Sequence, residues 1–174
     1  MENIRQCLWV YLLAISAMVT GCTEEVEPVN IRSDQDFVSY ATHTNIFKAQ
    51  ASRLATQVAA SNDLKVLGKD MFEYYNAASD ELGQLGRENG FTVPVSLDDK
   101  HQQLYNELDR LWGQDFDTRY LTEMQRIYQE NIKWYEEAAG KLKNNELKSW
   151  ASKSLQEIRI QQVDLQQVVS RSGL

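Results

Sequence analysis

The sequence is poor in nearly every residue type that usually announces chemistry. Its 174 residues include two cysteines, two histidines, two prolines and eight glycines. So few helix breakers leave room for long helices and argue against disorder as the default state. Basic residues are also short: 18 lysines and arginines face 25 aspartates and glutamates, a formal charge of −7. That balance argues against a nucleic-acid binder, which needs a basic surface to neutralise phosphates. No Gly-x-Ser-x-Gly elbow, phosphate-binding glycine loop, dinucleotide fingerprint or Cys-x-x-Cys pair is present. The usual signatures of nucleophilic, nucleotide-dependent and dithiol chemistry are therefore missing. The length suits about one domain.

What is present begins at the amino terminus. "CLWVYLLAISAMVTG" is an apolar run of about fifteen residues behind Arg5, which suits a signal-peptide core and is short for a membrane span. It ends in Val19-Thr20-Gly21-Cys22, and small residues before a cysteine resemble the bacterial lipobox. That resemblance implies cleavage before Cys22 and acylation of it, and several acyl chains anchor stably where one is marginal. Other uses of Cys22 have little support. Cys7, its only possible partner, lies in the segment expected to be removed. No ligand cluster surrounds it for zinc. The expected organisation is a lipoprotein signal peptide over 1–21, a lipidated terminus and polar tether over 22–33, and a helical domain over 34–174. An ordinary cleaved signal and an uncleaved anchor are the competing readings.

Beyond the tether, apolar residues recur at three- and four-residue intervals, which places them on one face of a helix. The pattern predicts helices over about 34–60, 63–88, 97–112, 115–142 and 146–169. Phe37, Tyr40, Thr44, Phe47, Ala51, Leu54 and Val58 form the first stripe. Leu64, Leu67, Met71, Tyr75, Ala78 and Leu82 lie along the second. "FTVPVS" interrupts the pattern as an extended connection around Pro94. The expected fold is all-α: a ferritin-like four-helix bundle of two helical hairpins joined by a crossover that holds a short extra helix. The two hairpin turns echo each other, Ser61-Asn62-Asp63-Leu64-Lys65 against Asn144-Asn145-Glu146-Leu147-Lys148. Shared capping chemistry and a duplicated hairpin account for that echo equally well.

The stretches "KDMFEYYNAASDEL", "GFTVPVSLDDKHQQLYNEL", "LWGQDFDTRYLTEM" and "NNELKSWASKSLQEIR" resemble the bacterial domain-of-unknown-function 4142 family. These are exported proteins placed among ferritin-like bundles, and the resemblance spans roughly Asp36 to Val169. It also implies departures. Members commonly carry Asp-His where this chain has Tyr74-Tyr75, and again where it has Ile127-Tyr128. Acidic positions of the first helix fall on Lys48 and Gln50, and a histidine of the last helix falls on Gln161. If those family positions bind metal, Tyr75, Tyr128 and Gln161 have replaced the ligands. A phenol is neutral at working pH and a poor substitute. The residues alone agree, because a di-metal bundle site needs Glu-x-x-His on two helices and none occurs. The histidines are His43 and His101, one in the first helix and one in the crossover helix.

The remaining candidates have plainer readings. Glu73, Glu81, Glu123, Glu130, Glu136 and Glu137 are expected on solvated helix faces, since buried carboxylates need partners. The tyrosines suit a bundle core better than radical or stacking chemistry. Tyr75 and Tyr128 follow Met71 and Met124 at equal spacing and are expected to face each other in mid-bundle. Asn131 and Gln161 fit either a buried polar layer or a stripe edge. The basic "GKLKNNELKSWASKS" stretch suits a helix end and start, with its lysines favouring the helix dipole.

Together these features predict a bacterial envelope lipoprotein with a non-enzymatic interaction or structural role. The alternative is a metal-binding or redox, stress-related ferritin-like protein with an atypical site. No catalytic residue, metal ligand or cofactor is expected. The expected partners are the membrane, through the lipid, and a protein that the sequence does not identify. Thr23 is not the aspartate that retains enteric lipoproteins at the inner membrane, and Glu24 and Glu25 look like acidic surface-export signals. The outer membrane is the expected destination.

Overall fold

The computed structural model describes residues 31–172. The signal segment, Cys22 and the tether through residue 30 lie outside the described residues. Regular structure within them is helical: α1 (Asp34–Val58), α2 (Asn62–Glu88), α3 (Asp99–Leu108), α4 (Gly113–Lys141) and α5 (Asn145–Ser172). No helix among them is long and apolar enough to cross a membrane.

Each start has a local cause. Ser33 Oγ accepts from the Asp36 amide, Ser61 Oγ from that of Leu64, Asp98 Oδ1 from that of His101 and Asn144 Oδ1 from that of Leu147. These are side-chain N-caps, which satisfy amides a helix leaves unpaired. The Asp98 cap also corrects one boundary. The crossover helix was expected over 97–112, but it starts after Asp98 and ends at Leu108. α4 lacks a side-chain cap and starts instead at Gly113, whose φ of +61° favours glycine.

α1 packs on α2, and α4 on α5, as two hairpins. Their turns are held reciprocally. Asp34, in the first turn of α1, accepts from the Lys143 and Asn144 amides of the α4–α5 turn at 2.9 and 2.7 Å. Asp117, in α4, accepts from the Ala60 and Ser61 amides of the α1–α2 turn at 3.0 and 2.8 Å. The echo between the turns thus extends to how each is tied to the opposite hairpin.

The crossover runs the length of the bundle. At one end Asn89 accepts from Asn144 and donates to Glu146; at the other Gly113 bridges to Ala59. Along the way α3 lies over α1 and α4 and buries Leu104, Leu108 and His101. The chain before α1 is also docked: Ile31 is buried and its amide donates to Glu137 Oε1 at 2.9 Å.

The core is aromatic-rich. Phe37 meets Tyr135 edge-on at 5.2 Å, and Tyr40 stacks on Trp134 at 4.0 Å. Gly68 permits the close α1–α2 approach, because a Cβ there would sit 2.9 Å from the Ser52 carbonyl oxygen and 3.1 Å from Ala55 Cβ.

Candidate functional site

The positions singled out by sequence converge in mid-bundle. Tyr75 from α2 and Tyr128 from α4 are buried and face each other, with 3.0 Å between their hydroxyl oxygens. Gln161 from α5 joins them, its Oε1 accepting from Tyr128 at 2.8 Å and from Tyr75. One side chain from each of three helices therefore meets at a single point.

α1 supplies the fourth. Lys48 is fully buried, with its amine 3.9 Å from the centroid of the Tyr75 ring and 5.5 Å from that of Tyr128. Among the described residues its Nζ has no hydrogen-bond partner. Burial holds the amine well below its ordinary pKa. Burial also raises both phenols, helped at Tyr75 by the Tyr128 phenol beside it. Each group is pushed toward its neutral form, so the cluster avoids isolated charge in a low-dielectric interior.

Lys48 belongs to a polar strip on the core face of α1 with Thr44, Asn45 and Ser52. Ser52 Oγ lies 3.0 Å from Tyr120 Oη, which also donates to Met71 Sδ at 3.7 Å. Asn131 is buried, with Oδ1 accepting from Tyr40 at 2.6 Å. Asn131 thus belongs to a buried polar layer, whereas Gln161, half-buried, bonds to the tyrosines from the edge of the α5 stripe. Outside Gln161 and Met71 the α2–α5 seam opens into a hollow of about 430 Å³.

This donor set does not fit a di-metal centre. Such sites use carboxylate oxygen and imidazole nitrogen. Here the four positions offer two phenols kept protonated, one amide oxygen already engaged by both, and an amine. Among the described residues no group of three or more His, Cys, Asp or Glu is placed to hold a metal. His43 bonds instead to the Ser96 carbonyl at 2.9 Å, and His101 to Asp98 Oδ1 at 2.7 Å against the Phe47 ring.

The carboxylates divide. Glu73, Glu81 and Glu136 are exposed, as expected. Glu123 corrects the expectation of a solvated face: it is buried, held by Arg119 at 2.8 Å and Arg126 at 3.1 Å. Glu130 and Glu137 are half-buried and also ion-paired. Sequence reasoning noted Lys48 as a departure but missed its burial. The signal was its spacing, four residues after Thr44 and three before Ala51, within the α1 stripe. Cys22 lies outside the described residues.

The family described as Domain of unknown function (DUF4142) matches residues 22–168. No curated protein and no solved structure matches the chain.

Proposed function

The chain belongs to the DUF4142 family, and we propose that this member is a non-enzymatic interaction module of the bacterial envelope. In this reading Cys22 carries the lipid that anchors a ferritin-like bundle at the outer membrane. The bundle presents a helix face to a protein partner, and its interior serves structure. The observation that carries the proposal is the composition of the mid-bundle cluster. A buried amine packed on two hydrogen-bonded phenols leaves no anionic ligand where a bundle enzyme would need one. The two hairpins, the lengthwise crossover and the reciprocal aspartate ties support the ferritin-like arrangement.

Two measurements test this reading. Metal analysis of the purified, dialysed chain is expected to find less than a tenth of an equivalent of iron, manganese or zinc, on the order of adventitious loading. One equivalent retained through dialysis would overturn the non-metal reading. Mass spectrometry of the mature amino terminus is expected to find acylated Cys22, and an unmodified thiol there would remove the anchor.

A further inference from the structure

The seam between α2 and α5 differs from the rest of the surface. Three hollows of about 430, 230 and 510 Å³ follow one another along it. They extend from Asp63 to Glu88 on α2, a rise of about 38 Å. Their floor includes apolar Leu67, Met71, Ala78 and Leu85. Val66 lines the first hollow and is 64% exposed; Ile160, one turn before Asp164, is 55% exposed.

The charge along this seam is one-sided. Asp63, Asp70 and Asp164 line the first hollow, Glu81 and Glu157 the second, Glu88 and Glu146 the third. Two cations oppose these seven acids, and both are engaged: Arg171 with Asp63 at 3.0 Å and Lys153 with Glu81 at 3.9 Å. Among the described residues Asp70, Asp164, Glu157, Glu88 and Glu146 have no ion-pair partner.

The fold itself shows how such a seam is closed. On the α1–α4 side, α3 lays an apolar face across two helices and fastens its ends by charge. Lys100 pairs with Glu130 at 3.6 Å and Glu107 with Arg119 at 2.8 Å. We infer that the α2–α5 seam docks an amphipathic helix of another protein, apolar along one face and flanked by Lys and Arg. The inference rests on the reading of the bundle as an interaction module, and supplies its surface and the partner's chemistry. Charge complementarity selects the occupant. A second copy brings the same acidic seam, and the chain's own tether carries Glu24, Glu25 and Glu27, so both are repelled.

The test uses the full chain as the cell processes it. The probe is a labelled 21-residue helix with Leu at three- and four-residue spacing and Lys at the flanks; its scrambled isomer is the control. Expected are one-to-one binding by fluorescence anisotropy and photocrosslinks to α2 and α5. Asp70→Lys with Asp164→Lys should weaken binding at least about tenfold, a change near 1.4 kcal/mol. The milder Asp70→Asn with Asp164→Asn should weaken it less, which covers misfolding of the reversal variant. Glu107→Gln, on the covered side, should leave affinity within about twofold. Equal binding of the scrambled isomer, crosslinks confined to α1 and α4, or unchanged affinity in both paired variants would overturn the inference. So would a dimer in sedimentation that Val66→Asp dissolves, because the occupant would then be a second copy. Absent metal with no peptide binding would sink the docking seam and leave the proposed function standing. Retained metal with specific peptide binding would do the reverse.

Discussion

The two seams between the hairpins are built from similar helices and finished differently. The α1–α4 seam is roofed by α3, which buries Leu104 and Leu108, and its charges close into a network through Arg119, Arg126, Glu123 and Glu130. Among the described residues the α2–α5 seam has no roof, carries exposed Val66, and leaves five acids without ionic partners. One chain thus contains a finished seam and an unfinished one, and the finished one shows what the other lacks.

The largest expected effect comes from breaking the finished seam. Leu108, the last residue of α3, is fully buried against the bundle, so Leu108→Ala removes apolar contact and leaves a cavity. A loss of about 2–5 kcal/mol is expected in urea denaturation. Val66→Ala on the open seam should stay within about 0.5 kcal/mol. Equal losses at the two positions would mean that the seams do not differ.

Next come the ties at the hairpin ends, which hold the bundle where the open seam does not. Asp117→Ala leaves the Ala60 and Ser61 amides without their acceptor, and Asp34→Ala does the same at Lys143 and Asn144. Each should cost about 1–3 kcal/mol. The sites lie at opposite ends, so the double variant should lose close to the sum. A large coupling would show that the two turns open as one unit.

These ties also mark where the sequence stopped being readable. The five helices follow from three- and four-residue apolar spacing, which misplaced the bounds of α3; the caps at Ser33, Ser61, Asp98 and Asn144 fix four of the five starts. Those are local signals, settled within one or two turns. Asp117 and the turn at Ala60 are joined across 57 positions, and no local pattern encodes such a pairing. Tyr75, Tyr128 and Gln161 were legible as a set because the family resemblance implies a replaced histidine at each; apolar spacing by itself paired only Tyr75 with Tyr128. Lys48 was not read as buried because lysine is so seldom found there. Nor does spacing say over which seam the short amphipathic α3 will lie. That is decided by the reach of the crossover and by which helices offer Glu130 and Arg119 to its ends.

Lys48 allows the interior to be compared with both seams. Unfolded, its amine holds a proton up to the ordinary value of 10.5; folded, burial releases that proton at lower pH. Between the two values the unfolded state binds more protons, so stability of the native protein rises with pH across that window. Lys48→Met should abolish the rise and make the fold more stable than the native protein at pH 7. Tyr75 and Tyr128 act oppositely at higher pH. Their pKa values are raised above 10.0 in the fold, so above pH 10 the unfolded chain ionises first and stability falls. Thermal unfolding followed from neutral to alkaline pH checks both slopes. A pH-independent difference between the native protein and Lys48→Met would show that the amine keeps its ordinary pKa inside the bundle.

The smallest effect separates the seams by sign. Asp70 and Asp164 line one hollow, and among the described residues neither is ion-paired, so no counter-charge is lost when they are neutralised. Asp70→Asn with Asp164→Asn should therefore stabilise the free chain by a few tenths of a kcal/mol, about the scale of exposed charge pairs. The gain should shrink as salt is added, because exposed charges are screened over about 10 Å at 0.1 M. On the roofed seam Glu123→Gln removes one carboxylate shared by Arg119 and Arg126 and should cost about 0.5–1 kcal/mol. Sign is the useful quantity, since it survives the small size of both effects. A seam optimised only for the folded monomer would lose stability from either change. Gain on one side and loss on the other would mean that the acids of the α2–α5 seam are kept against the stability of the free chain, as a surface awaiting an opposite charge requires.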